Sequence, residues 1–212
     1  IYVNGTNADI HDATFKNCTA LNDGNGGAIY VAGINTVVES SKFENTSTTY
    51  NGLGGAIYIE GEKAHVITSD FNSTHARDGG AIYIYGVNAI VSDSTFENTL
   101  AGSGIEWIYD GNGNVIGFKE AIKGDGGAIY IYGVNATISN SSVENTNATL
   151  SGGAIYIDGI NADIEDSSFE KTNAFGSTTN DGGGAIFIKG DLASVDRSNF
   201  TDNGANSNNA KG

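Results

Sequence analysis

The sequence predicts an all-β chain wound into a parallel β-helix, a solenoid of about seven coils with three short strands each. Three observations carry this. First, an isoleucine is followed fourteen residues later by a phenylalanine or a valine in every copy: Ile1/Phe15, Ile29/Phe43, Ile57/Phe71, Ile82/Phe96, Ile129/Val143, Ile155/Phe169 and Ile186/Phe200. Second, the chain around them spells GGAIYI-x-G-x-NA-x-I-x-x-S-x-F-x-N-T again and again. Fixed internal spacing with a variable overall period is the signature of stacked coils, because a repeat this short cannot bury its own apolar face. Third, the residues are β-branched, aromatic and glycine-rich with no 3.6 period, and proline is absent. That suits strands whose backbone NH groups all need partners.

Each element of a coil follows from its residues. In Gly79–Gly86 (GGAIYIYG), alternation sends both isoleucines inward and the tyrosine outward. The position after the last isoleucine varies freely (Asn4, Ala32, Glu60, Tyr85, Tyr132, Asp158, Lys189), which places it in solvent. The glycine that follows in every copy, such as Gly86 or Gly133, fits a sharp corner with φ > 0. A second strand runs through stretches like Asn161–Ile164, and a third carries Ser and Phe, as at Ser167–Phe169. Three strands and three corners give a triangular section. Stacked strands lie about 4.8 Å apart, so seven coils make a rod on the order of 34 Å long.

The chain reads as one domain over residues 1–212, with a hairpin-like insert at about 101–124. The first copy lacks its GGA and the chain has no Met, so it reads as a fragment of a longer array. All length variation falls between the Phe-x-x-Thr element and the next GG, so one edge carries every loop. Repeat proteins use such an edge for recognition. The longest piece holds the sole tryptophan, Trp107, with Tyr109 and Phe118, and its DGNGN core reads as a hairpin turn. It either presents Trp107, Tyr109 and Phe118 to a partner, folds back on the stack, or forms a degenerate eighth coil.

Composition bounds the function. A net charge of −15 with ten Lys and Arg argues against electrostatic binding to nucleic acid or an anionic membrane. No stretch reads as a membrane span. The single cysteine, Cys18, excludes a disulfide framework and occupies a column otherwise held by threonine. Eight Asn-x-Ser/Thr sequons, Asn140 among them, fit an exported protein.

Two columns are candidate sites. Outward tyrosines recur at Tyr2, Tyr30, Tyr58, Tyr83, Tyr130 and Tyr156, with Tyr85 and Tyr132 as a partial second column. Tyr83, Tyr85, Tyr130 and Tyr132 either stack on sugar rings, pack against a partner protein, or brace the coils. Glu97, Glu144 and Glu170 fall in one column on consecutive coils. Like charges so close repel and invite a cation, which makes calcium a candidate cofactor there. A second acidic group, Asp163, Glu165, Asp166 and Asp196, has Arg197 beside it. The Thr46/Thr74/Thr99/Thr146/Thr172 column is too narrow for an ice-binding plane.

The GGAI element, at Gly26–Ile29, Gly54–Ile57, Gly79–Ile82, Gly126–Ile129, Gly152–Ile155 and Gly183–Ile186, resembles the repeats of adhesin-like surface proteins of methanogenic archaea. It is also similar to chlamydial polymorphic outer-membrane proteins, whose repeats pair GGA[ILV] with FxxN. The second half departs from that pattern: only Asn203 falls three residues after its Phe. The resemblance implies a right-handed, single-stranded parallel β-helix stalk, export to the cell surface, and adhesion to a glycan or protein of another cell. It implies no catalytic residue. The rival class is a β-helical polysaccharide lyase or hydrolase, which needs carboxylates or an Arg/Lys base gathered in a groove. Arg77 and Arg197 fall on separate coils, and His11, His65 and His75 in separate columns.

Overall fold

The computed structural model describes residues 1–103, 106–109, 115–119, 122–176, 178 and 180–205; for 106–109 and 115–119 it describes the backbone alone. The described residues form an all-β parallel solenoid of seven coils without a helix. Coils stack in register, so like residues sit on like: Ile82 pairs with Ile57 and Ile129, Phe71 with Phe43 and Phe96, and Glu97 with Glu144.

The section is four-sided rather than triangular. Four parallel sheets of seven strands run the length of the stack, one strand per coil in each. One coil reads Ile82–Tyr85, Ile90–Ser92, Thr95–Glu97 and Leu100–Ala101. The fourth strand has two residues, too few for alternation to reveal it in sequence. The corners explain the count. In this coil Asn88, Asp93 and Asn98 lie five residues apart with φ of 58°, 51° and 56°, and Gly79 turns the fourth corner at 59°. Asn and Asp tolerate this left-handed conformation better than other side chains that carry a Cβ. Where a coil lacks them, the corner still forms: Lys63, Thr68 and Ser73 adopt φ of 58°, 50° and 57°.

The expected positive φ at the glycine after each IYI segment is found in three coils, at Gly61, Gly133 and Gly190 (148°, 159° and 153°), and not in the others. Gly86 is not among the residues with positive φ. A Cβ there would stand 1.8 Å from the Gly61 carbonyl oxygen of the coil below, so the column is glycine because backbones approach too closely for anything else.

Three ladders hold the coils together beyond the backbone bonds. Inward phenylalanines stack face to face, with centroids 4.7 Å apart for Phe43/Phe71 and 4.8 Å for Phe71/Phe96. Buried serines link coils through their hydroxyls: Ser94 Oγ donates to its own Ser92 carbonyl (2.8 Å) and accepts from Ser69 N (3.1 Å). Corner asparagines pair outside, as where Asn135 Nδ2 donates to Asn88 Oδ1 at 2.9 Å. The threonine column points inward. Thr46, Thr74, Thr99, Thr146 and Thr172 are buried, so they present no plane to solvent.

Insertions do lie on one edge, after the fourth strand. The longest contains an antiparallel hairpin, Glu106–Tyr109 with Val115–Lys119, separate from the four stacked sheets. An eighth coil would have joined those sheets. The hairpin's base is clamped where Ser103 N donates to the Ile122 carbonyl (2.7 Å) and Thr149 Oγ1 donates to the same oxygen (3.1 Å).

Candidate functional site: the tyrosine sheet

The first sheet comprises Tyr2–Asn4, Ile29–Ala32, Ile57–Glu60, Ile82–Tyr85, Ile129–Tyr132, Ile155–Asp158 and Ile186–Lys189. Its isoleucines face the core, and Ile82, Ile84, Ile129 and Ile131 are fully buried. Alternation therefore leaves two outward columns. The inner one holds Tyr2, Tyr30, Tyr58, Tyr83, Tyr130, Tyr156 and Phe187; the outer holds Asn4, Ala32, Glu60, Tyr85, Tyr132, Asp158 and Lys189.

The inner column is a continuous pile of rings. Tyr83 and Tyr130 lie 4.7 Å apart at an interplanar angle of 7°, and Tyr130 and Tyr156 lie 4.8 Å apart at 14°. Stacking closes both faces of each ring between the ends: Tyr58 and Tyr156 keep only 9% of their surface in solvent, whereas the end ring Tyr2 is 68% exposed. Burial pushes the phenols of Tyr58, Tyr83 and Tyr156 up to about 12, with nearby carboxylates adding to the effect. Burial raises Tyr130 further still. These hydroxyls therefore stay protonated at any physiological pH. Tyr83 and Tyr130, expected to offer ring faces to a sugar, have those faces occupied by their neighbours.

The outer column differs. Tyr85 and Tyr132 stack on each other at 5.2 Å and 7°, yet remain 48% and 45% exposed. Among the described residues the stack is two rings high, so one face of each is not covered by an aromatic of the sheet. On the coil below Tyr85, its register partner is Glu60. On the coil above Tyr132 it is Asp158, followed by Lys189. The sequence offers Tyr85 and Tyr132 as a partial second column and the other positions only as variable. The opposite charges of Asp158 and Lys189 on successive coils were the available signal.

A carboxylate ladder runs along the corner beside the inner column. Asp78 Oδ1 accepts from Asp125 N (3.0 Å), and Asp125 Oδ1 accepts from Ser151 N (2.8 Å). Arg77 Nε donates to the other oxygen of Asp78 at 2.9 Å. Burial drives the Asp125 carboxyl up to about 6, with the Asp78 and Asp181 charges adding and the Ser151 bonds opposing. These bonds replace strand pairing at a corner that has none.

The other predicted site residues are placed as follows. Glu97, Glu144 and Glu170 do stack on consecutive coils. Lys171 Nζ lies 2.6 Å from Glu170 and 3.4 Å from Glu144, while Asn72 and Asn98 donate to Glu97 at 3.0 and 3.2 Å. One ammonium thus offsets part of the charge of Glu144 and Glu170, and neutral amides hydrogen-bond Glu97. Among the described residues no group of three or more His, Cys, Asp or Glu side chains is arranged to hold a metal ion. The C-terminal acidic group is gathered by Arg197, which bonds to Asp166, Glu165 and Asp196. Trp107 and Phe118 are register partners in the hairpin, with Tyr109 opposite Val115. Their side chains, and whether the hairpin protrudes or packs, lie outside the described residues.

Arg77 sits on the loop edge and Arg197 on the corner between the second and third sheets. His75 Nε2 lies 2.8 Å from the Gly102 carbonyl oxygen, His65 is on the second sheet, and His11 pairs with Asp12. A surface depression of 370 Å³, lined by Lys42, Glu44, Asp70 and Asn72, belongs to the third sheet, away from the tyrosines. Compared with protein-family models, with curated proteins and with solved structures, the chain matches none of them.

Proposed function

We propose that this chain is a non-enzymatic adhesin module on an extracellular cell surface. The stack serves as a rigid spacer, wound right-handed as parallel crossovers are, and contacts a glycan or protein of another cell. The observation that carries this reading is the Tyr85–Tyr132 pair: two large aromatics nearly half exposed on a sheet whose neighbouring column is closed. Exposed aromatics on a preorganised surface are the residues that dominate recognition, since little conformational freedom remains to be lost on binding. The acids and arginines support a binding rather than a hydrolytic role, because Arg77 and Arg197 stand at separate corners, each paired with carboxylates of its own.

The test is binding of this chain to glycan arrays and whole cells. The double variant Tyr85→Ser/Tyr132→Ser is expected to lose binding while melting like the parent, and Trp107→Ala reports whether the hairpin shares the contact. Undiminished binding by a folded double variant would remove the tyrosine pair from the reading.

A further inference from the structure

At one end of the outer pair, beyond Tyr132, stand a carboxylate and an ammonium. Lys189 Nζ donates to Asp158 Oδ2 at 2.8 Å, and its pKa is raised chiefly by that bond, with a smaller contribution from Tyr132. At the other end the carboxylate is present and the ammonium is not. Glu60, the register partner of Tyr85, is exposed, and among the described residues its side-chain partner is the Tyr30 hydroxyl at 3.3 Å. The next residues down the column, Ala32 and Asn4, bring no charge. Because Tyr85 and Tyr132 are parallel to within 7°, the second face of Tyr85 looks toward the coil that carries Glu60.

We propose that the Glu60–Tyr85 junction is a recognition point for a lysine side chain of a partner protein, completing the arrangement that Asp158, Lys189 and Tyr132 make within the chain. This rests on the adhesin reading and names the chemistry of its partner. A ring face attracts an ammonium and the adjacent carboxylate neutralises it. The Glu60 carboxylate turns toward the Tyr30 hydroxyl on the coil below, so a cation reaches it and the Tyr85 ring from solvent. A lysine, whose charge rides on a thin flexible stem, meets that approach with less bulk than an amino sugar, whose nitrogen is attached directly to its ring. The net charge of −15 favours approach of any cationic segment, and the junction gives it a fixed landing point.

The experiment titrates the intact chain with amidated tetralysine and, separately, with a tetramer of glucosamine, by NMR and calorimetry at near-physiological salt. Tetralysine is expected to shift the Tyr85 ring resonances. Glu60→Gln and Tyr85→Ser should each weaken it roughly fivefold. Glu97→Gln on the third sheet should leave it unchanged. Equal weakening by Glu97→Gln, or no weakening by Glu60→Gln, would mean diffuse electrostatics and overturn the proposal. Binding of the glucosamine tetramer at Tyr85 with equal or greater affinity would overturn the choice of lysine. Cell binding separates the two levels. If Glu60→Gln binds cells normally while Tyr85→Ser/Tyr132→Ser does not, this inference falls and the adhesin reading stands. If both bind normally, both fall.

Discussion

Two tyrosine columns share one sheet, two residues apart, and behave as different materials. Tyr83 and Tyr130 belong to an unbroken pile of rings, half-buried, with phenols driven upward by desolvation. Tyr85 and Tyr132 form a stack of two, nearly half exposed, flanked by charges. Residue type, strand and orientation are shared; what differs is whether the column continues. In a solenoid, repetition itself closes a surface, because each ring covers the next. Interruption opens it. The proposed recognition surface lies where a column stops being regular.

The most direct way to break this contrast is to truncate each column in turn. Tyr130→Ser should destabilise the chain by about 3 kcal/mol, since it removes a ring packed on both faces. Tyr132→Ser should lose about 1 kcal/mol or less, as its ring is packed on one face and wet at its rim. Chemical denaturation of the two variants side by side checks this, and equal losses would erase the distinction. Tyr83 and Tyr130 are for the same reason poor probes of binding: their loss would be confounded with unfolding.

A second variant asks whether polar columns obey the same rule. Ser94→Ala leaves the buried Ser69 NH without its acceptor and should lose about 2 kcal/mol. An exposed hydroxyl in the neighbouring strand, Ser142→Ala, should be nearly silent.

A third variant acts on the corner beside the inner column. The Asp125 carboxyl titrates at about 6 in the folded chain against an ordinary 3.8. The folded state therefore binds this proton more tightly than the unfolded state does. It is penalised progressively as pH rises from about 3.8 to about 6 and fully above that, and the penalty vanishes below the unfolded value. Fully dry, that shift is worth roughly 3 kcal/mol; partial exposure lowers it to about 1–2 kcal/mol. Asp125→Asn keeps the oxygen that accepts from Ser151 N. It should melt higher at pH 8, with the gain nearly intact at pH 6, shrinking below it and absent once pH falls below about 3.8. A pH-independent difference would mean that something other than the charge at this corner sets the effect.

The smallest expected effect concerns a corner. Thr68 is β-branched and sits at φ 50° where most coils place Asn, Asp or Ser. Thr68→Asn should stabilise by about 1 kcal/mol, measured as an upward shift of the denaturation midpoint.

These columns also mark what the sequence made legible. The isoleucine and phenylalanine pairs gave the stack and its register, because like must sit on like along seven coils. The fourth side was missed because two-residue strands such as Leu100–Ala101 carry no alternation, although Asn88, Asp93 and Asn98 at five-residue spacing mark three corners of that coil. The reason for Gly86 was misjudged because one sequence distinguishes poorly between a dihedral requirement and an approach of 1.8 Å from the coil below. At the candidate site, the tyrosines were visible but their unequal exposure was not, since it depends on what each column stacks against. Glu60 was passed over because its meaning lies in the absence of a lysine that Asp158 has.

The central claim is that the short, open tyrosine pair, and not the long closed column, makes the contact with a partner. It is tested most directly by measuring attachment of the folded chain to cells before and after Tyr85→Ser/Tyr132→Ser. The account predicts that attachment is lost while the melting transition stays in place. Full attachment by that variant, with its coils intact, would contradict it.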